Sequence, residues 1–313
     1  MTLRRLSHLA IRRALTATVA LSVTAYAGAG EHTGSIAIDG RTRTYTLHLP
    51  DDPAPAHGLP LILALHGGGM QGAAMARLTA LDALADARGF IVVYPDGMDK
   101  HWNDGRSTIR HPQDDVGFIS ALLDQVESRY PVDRRRVYAT GLSNGALFAH
   151  RLGCELAPRI AAIAPVAGSM PAELRPACHP ARPVAVLQIS GTADPIMPYD
   201  GGAVADFGGR GEGGRVMAVT ETMAAWAALS GCSGGAGAQM LPPASRLDRT
   251  RTVRTRYADC PAAGQVVAYT VEGGGHTWPG GAQYARPALI GAASRQMDAS
   301  AAIVDFFLSL PGR

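Results

Sequence analysis

The chain has 313 residues, of which 47% are hydrophobic and 18% charged, and its formal charge is +3. This composition excludes a disordered or fibrous protein and supplies enough apolar material for a large core. Its basic residues are almost all arginine, with Lys100 the only lysine, and nothing in the charge balance argues for nucleic acid or an anionic membrane as partner.

At the N-terminus, Arg4, Arg5, Arg12 and Arg13 precede the apolar stretch 14–25, and Ala25-Tyr26-Ala27 offers a small-x-small cleavage pattern. This layout predicts a signal peptide over 1–27, with an apolar run too short to span a bilayer comfortably. An uncleaved anchor is the alternative. The segment carries four arginines and no acid, so the formal charge of 28–313 is −1. The expectation is a secreted monomer, extracellular or periplasmic, free of the membrane after cleavage. In an oxidising compartment an even cysteine count predicts disulfides. Four cysteines allow three connectivities. The pairs Cys154 with Cys178 and Cys232 with Cys260 close the shorter loops and are favoured. No cysteine spacing resembles a zinc site.

The first elements predicted after the leader are two alternating strands, 35–38 and 42–49, joined at Asp39-Gly40 as a β-hairpin. The proline-rich stretch 50–60 reads as a loop. Short apolar strands then alternate with helical patterns. "PLILALHGGG" is a strand entering a glycine loop, 73–88 is helical, and "FIVVYPDG" is a buried strand. Residues 114–130 form a helix with Val116, Ile119, Leu122, Leu123 and Val126 on one face. "RVYATGLS" is a strand and 144–154 a helix. "IAAIAPVAG" and "VAVLQISG" are further strands, 217–230 is helical, 266–271 is a strand, and 298–310 is a closing helix. The glycine-rich run 201–214 reads as a mobile loop or lid edge. The alternation predicts an α/β fold over 28–313 as one domain, with a mostly parallel sheet, helices on both faces and the hairpin at its start.

Gly141-Leu142-Ser143-Asn144-Gly145 falls where a buried strand turns into a helix. This is the G-x-S-x-G pattern of a nucleophile elbow, in which glycines permit a sharp turn that lifts the serine hydroxyl above the sheet. A simple helix N-cap is the plainer account of Ser143. A serine hydroxyl needs a base, and the base needs an orienting acid. In the chain order serine, acid, histidine, Asp194 lies just past a strand and His276 lies in a glycine-rich loop after the last strand. Asp194 before Pro195 also suits an Asx turn. Asp200 and Asp206 are fallback acids. His101, His111, His150 and His179 are weaker bases, and His150 is expected to be a partly exposed helix residue facing away from the serine. The loop "LHGGGM" and the N–H of Asn144 would form the oxyanion hole, with Gly68 or Gly69 as the first donor.

The motifs "LHGGGMQG", "WNDG", "DDVGFI", "GLSNGALFAHRL", "GTADPIMPY" and "GGGHTWPGG" occur in this order. Together they resemble the secreted polyhydroxybutyrate depolymerase and feruloyl esterase group of α/β-hydrolases. The resemblance covers nearly all of 28–313. It implies the α/β-hydrolase fold and a serine esterase with Ser143, Asp194 and His276 as triad. It also implies Trp102 and Trp278 near the acyl pocket, and disulfides in these loop regions. Ser190 stands where members of the group often have histidine, a position expected to be structural. Polymer-degrading members often continue into a substrate-binding domain. Here the chain ends soon after its closing helix, so soluble esters or oligomers are expected before solid polyester. Ester hydrolysis through an acyl-enzyme requires no metal or organic cofactor. The rival readings are an acyltransferase with the same triad and a non-catalytic exported binding protein of the same fold.

Overall fold

A computed structural model describes residues 28–51, 54–206 and 211–312; the expected signal peptide at 1–27 lies outside them. The hairpin predicted from the alternating pattern forms as β1 (Gly30–Ile38) and β2 (Arg41–Leu49). It turns at Asp39 and Gly40, both with positive φ. It is longer than the pattern suggests, because β1 alternates half-buried and exposed residues and so carries a weak apolar signal.

The central strands are β3 (Leu59–Leu65), β4 (Ile91–Pro95), β5 (Val132–Leu142), β6 (Ala162–Val166), β7 (Ala185–Gly191) and β12 (Val266–Glu272). β3, β4, β6 and β7 are buried at every residue, as strands covered on both faces must be. With β10 (Ala236–Met240) and β11 (Arg251–Tyr257), the ten-stranded sheet runs β1-β2-β4-β3-β5-β6-β7-β12-β11-β10. Its interior pairs from β4 to β12 are parallel, and the outer pairs are antiparallel.

Successive residues of β3 divide the core in two. Leu61, Leu63 and Leu65 pack with Phe118 and Leu122 of α3 (Asp115–Arg129), Phe148 of α4 (Asn144–Glu155) and Trp226 of α5 (Val219–Leu229). Ile62 and Ala64 face the other way, towards Met75 of α1 (Gly72–Thr79), Leu81 of α2 (Leu81–Arg88) and Phe307 of α7 (Ala299–Ser309). The period-2 alternation of a strand thus supplies both layers from one segment. Asp114 caps α3 by accepting the Gly117 N–H at 2.8 Å, and Asp298 caps α7 through the Ala301 N–H at 3.0 Å.

One expectation is corrected, and four short or edge strands come in addition to the predicted elements. The helical pattern 73–88 is two helices, broken at Ala80 with φ 49°. The Thr79 carbonyl accepts from Ser300 Oγ at 2.6 Å, so the chain turns there to meet α7. The glycine run 201–214 includes β8 (Gly202–Ala203), which pairs antiparallel with β9 (Arg215–Val216) as a two-stranded ribbon. Two edge strands escaped the pattern: β10 (Ala236–Met240) is exposed throughout, and β11 (Arg251–Tyr257) carries three arginines. Neither presents an apolar stripe. A short helix, α6 (Pro287–Ile290), completes the set.

Disulfides join Cys154 to Cys178 and Cys232 to Cys260. The first ties the end of α4 to the loop before β7, and the second ties the loop after α5 to that before β12. Among the described residues no helix is long and apolar enough to cross a membrane.

Candidate active site

The C-terminal ends of the parallel strands form one rim, and the loops leaving β3, β5, β7 and β12 meet there. β5 ends at Leu142 and α4 begins at Asn144, so Ser143 alone makes the turn. It holds φ 56° and ψ −120°, a conformation an L-residue adopts only under constraint. The two glycines supply the room. A Cβ at Gly141 would overlap the Gly145 carbonyl, and one at Gly145 would overlap the carbonyls of Leu65 and His66. The Ser143 N–H donates to the Val166 carbonyl at 3.0 Å, which pins the turn to β6.

Ser143 and His276 line the same cavity, of about 480 Å³. His276 Nδ1 and Asp194 Oδ2 are 2.8 Å apart, with both side chains under 5% exposed. Asp194 Oδ1 accepts the N–H groups of Ile196 and Met197, each at 2.8 Å. The Asx turn and the contact with histidine therefore coexist on one carboxylate. The main chain of His276 is held at both polar atoms. Its N–H donates to the Ile290 carbonyl at 2.5 Å, and its carbonyl accepts from Tyr284 Oη at 2.6 Å. The Ser143 hydroxyl makes no hydrogen bond among the described residues. In unliganded sites such bonds are often open and close when substrate binds.

The glycine loop lies across the cavity from this pair. The Gly69 N–H is spent on the Lys100 carbonyl at 2.9 Å, which corrects its place as a donor. The N–H groups of Gly68 and Asn144 have no acceptor among the described residues. The loop is braced from beneath. His66 Nε2 accepts the Gly97 N–H at 2.9 Å, and its carbonyl accepts Trp102 Nε1–H at 2.9 Å. An acceptor at Nε2 requires the proton on Nδ1, which faces the Gly67 carbonyl at 2.9 Å. Burial lowers the pKa of His66 to about 4, so the ring is neutral.

Neither Trp102 nor Trp278 lines this cavity, which corrects the expected acyl contacts, and Trp102 borders an adjoining cavity instead. Trp102 is fully buried and stacks on Phe148 at 5.2 Å between ring centres. Trp278 is 1% exposed and donates to Ser300 Oγ at 2.9 Å. The apolar wall consists instead of Met70, Leu142, Ile196, Met197, Val204 and Ile290.

Of the other histidines, His101 lines the cavity rim beside Gly68. His150 corrects its expectation: it is fully buried, with Nδ1 accepting Trp226 Nε1–H at 2.9 Å. Burial lowers its pKa to about 3. Several contributors carried no signal in the sequence that assigned their role. Tyr284 sits in an unpatterned loop. The Asn144 side chain accepts the Trp102 N–H at 2.8 Å and donates to Asp104 Oδ2 at 2.7 Å. Asp104 in turn pairs with the buried Arg106 at 2.7 Å. Asp104 and His66 stand inside conspicuous motifs, but nothing in their spacing assigns these partners.

The parallel sheet, its strand order and the serine turn at its rim define an α/β-hydrolase. A solved acetyl xylan esterase from Aspergillus awamori shares this fold with a TM-score of 0.54 over 79% of the chain and 94% of its own, at 15% identity. The chain belongs to the family described as esterase PHB depolymerase, whose model matches residues 43–210, and it is a carboxylic ester hydrolase. "Putative esterase NocK" of Nocardia uniformis subsp. tsuyamanensis is 37% identical over 284 residues, which is 87% of this chain and 81% of that protein. Feruloyl esterase B of Piromyces equi is 32% identical over 63% of this chain, a match spanning only 35% of that longer protein. Ser143 and Asp194 fall within the family match, and His276 follows it.

Proposed function

We propose that the protein is an exported serine esterase that cleaves carboxylic esters through an acyl-enzyme. The observation that carries this reading is one cavity lined by the strained Ser143 turn and by His276, the latter paired with Asp194 at 2.8 Å. Ser143 Oγ bonds to the ester carbonyl carbon as His276 Nε2 takes its proton. Asp194 holds the imidazole tautomer and stabilises its positive charge. The N–H groups of Gly68 and Asn144 receive the oxyanion, and such a donor is typically worth about 3–4 kcal/mol in the transition state. The carbon–oxygen bond to the alcohol breaks and the alcohol leaves with the proton from His276. Water then repeats the sequence on the acyl-enzyme and frees Ser143.

The aliphatic wall suits a short acyl group such as acetyl or 3-hydroxybutyryl better than an aromatic one, because neither tryptophan is there to stack on a feruloyl ring. Relatives named feruloyl esterase and acetylxylan esterase keep both sugar-ester classes in the panel to be measured. Two disulfides and the leader-like segment 1–27 support export. The test is Ser143→Ala together with a fluorophosphonate probe. The expected result is loss of p-nitrophenyl butyrate turnover and of labelling, with the circular dichroism spectrum unchanged. Retained turnover in the variant means that another group is the nucleophile.

A further inference from the structure

Four large hydrophobic side chains are exposed among the described residues: Met240, Leu247, Tyr284 and Leu289. All four lie at one end of the sheet, the end where the nucleophile cavity opens. β11 starts with Arg251 beside Glu272, the last residue of β12, and Met240 closes β10 beside Val253. The chain 241–250 therefore turns at the C-terminal end of β12, from which His276 follows. Tyr284 lines the nucleophile cavity and donates to the His276 carbonyl. Leu289 adjoins Ile290, which lines the same cavity and accepts the His276 N–H. Exposed apolar groups gathered at one place mark a contact surface, whereas scattered ones need no account.

The same loops are strongly basic. Segments 241–251 and 282–296 hold five arginines, Arg246, Arg249, Arg251, Arg286 and Arg295, and one acid, Asp248. All five arginines are exposed, and their guanidinium groups make no hydrogen bond or ion pair among the described residues. The Asp248 carboxylate is spent on the N–H groups of Thr250 and Arg295. The formal charge of −1 over 28–313 hides this concentration, because the balancing acids lie in other segments. The loop itself is held firmly. Buried Gln296 accepts the N–H groups of Ala244 at 2.8 Å and Ser245 at 3.1 Å, and it donates to the Ser245 and Asp248 carbonyls at 2.8 Å each. These bonds fix the chain on both sides of Arg246 and Leu247, yet Leu247 is 97% exposed.

We propose that these loops form a docking face for an anionic phospholipid surface, with Leu247 and Leu289 entering the apolar layer and the five arginines meeting lipid phosphates. Docked in this way, the mouth of the nucleophile cavity faces the lipid. Charge and apolarity together select this partner. Guanidinium groups pair with phosphate oxygens through two parallel hydrogen bonds. Leucine gains by leaving water for the hydrocarbon beneath. A lipid surface offers phosphates and hydrocarbon at successive depths. A neutral solid polyester offers no charge, and a soluble polyanion offers no apolar layer. Docking needs no catalytic group, so it stands apart from the esterase reading.

The experiment is cosedimentation with vesicles of phosphatidylglycerol mixed with phosphatidylcholine, set against vesicles of phosphatidylcholine alone. The samples are the full chain, Leu247→Asp, Arg246→Ala combined with Arg249→Ala, and Ser143→Ala. Any contribution of 1–27 is common to all four. The wild type partitions onto the mixed vesicles and is released by high salt. Partitioning weakens about thirtyfold in the double arginine variant and about tenfold in Leu247→Asp. Ser143→Ala binds as the wild type does. The loop variants keep the circular dichroism spectrum and the turnover of p-nitrophenyl butyrate in solution, since the replaced side chains are exposed and unpaired. Partitioning that is absent, equal on both kinds of vesicle, or unchanged in both loop variants overturns the docking face. Binding to a polyhydroxybutyrate film in place of the vesicles gives the face to a solid polymer and overturns the lipid assignment as well.

Discussion

The two halves of the proposed catalytic rim are built differently. The serine turn is held by backbone contact: Gly141 and Gly145 let strand and helix touch, and the Ser143 N–H reaches β6. The glycine loop opposite is held by side chains, through the ring of His66, the indole of Trp102 and the carboxamide of Asn144. Close packing of backbone has no intermediate setting, because an added methyl group finds no space to enter. A hydrogen-bonded brace can be loosened one bond at a time. The first half should therefore fail abruptly and the second by degrees.

The largest effect is expected from Gly145→Val. Its side chain would overlap the Leu65 and His66 carbonyls, displacing the serine by a distance that typically costs at least about 100-fold in rate. Ester turnover and thermal midpoint should fall together, and a variant with full activity would show that the turn is not rigid.

Acid should act next, through the brace. His66 is neutral in the fold with a pKa of about 4, while in the unfolded chain it protonates near 6.5. Below pH 6.5 the unfolded state therefore binds the extra proton and gains stability relative to the fold. The contribution is complete above that pH and is lost as pH falls towards 4, in total roughly 3 kcal/mol. His150, lowered to about 3 by burial, extends the same trend further down. Urea midpoints measured from pH 7 to pH 4 should decline, and His66→Asn should flatten that decline.

Asn144→Ala removes the acceptor of the Trp102 N–H and a donor to the buried Asp104. The expected loss is about 2 kcal/mol of stability with a parallel fall in kcat, since the loop then shifts against the serine. The smallest effect is expected from Trp102→Phe. It keeps the stack on Phe148 and removes the bond to the His66 carbonyl, at a cost of about 1 kcal/mol. KM for ethyl acetate should barely change in this variant, because the indole does not face the nucleophile cavity; a large rise would return Trp102 to the substrate site.

Legibility in the sequence followed the same division. The parallel strands could be read because burial on both faces makes them continuous apolar runs, as in "LPLILAL". The serine turn could be read because its steric demands fall on adjacent residues. β10 and β11 could not, since strands at a sheet edge need no apolar stripe. The break at Ala80 was invisible because the partner that meets the chain beside it, Ser300, is more than two hundred residues away.

The sequence by itself determined the alternation of strands and helices, the turn at Ser143, and the order in which serine, acid and histidine follow one another. These depend on neighbours along the chain, where periodicity and glycine spacing act directly. Only the tertiary structure decided that both tryptophans are core, that the Gly69 N–H is already engaged, that His150 is buried, and that Tyr284 and Asn144 support the site. Each of these depends on what a distant segment brings to the same place. A residue type states which bonds it can make, but only the packed fold states which of them are already taken.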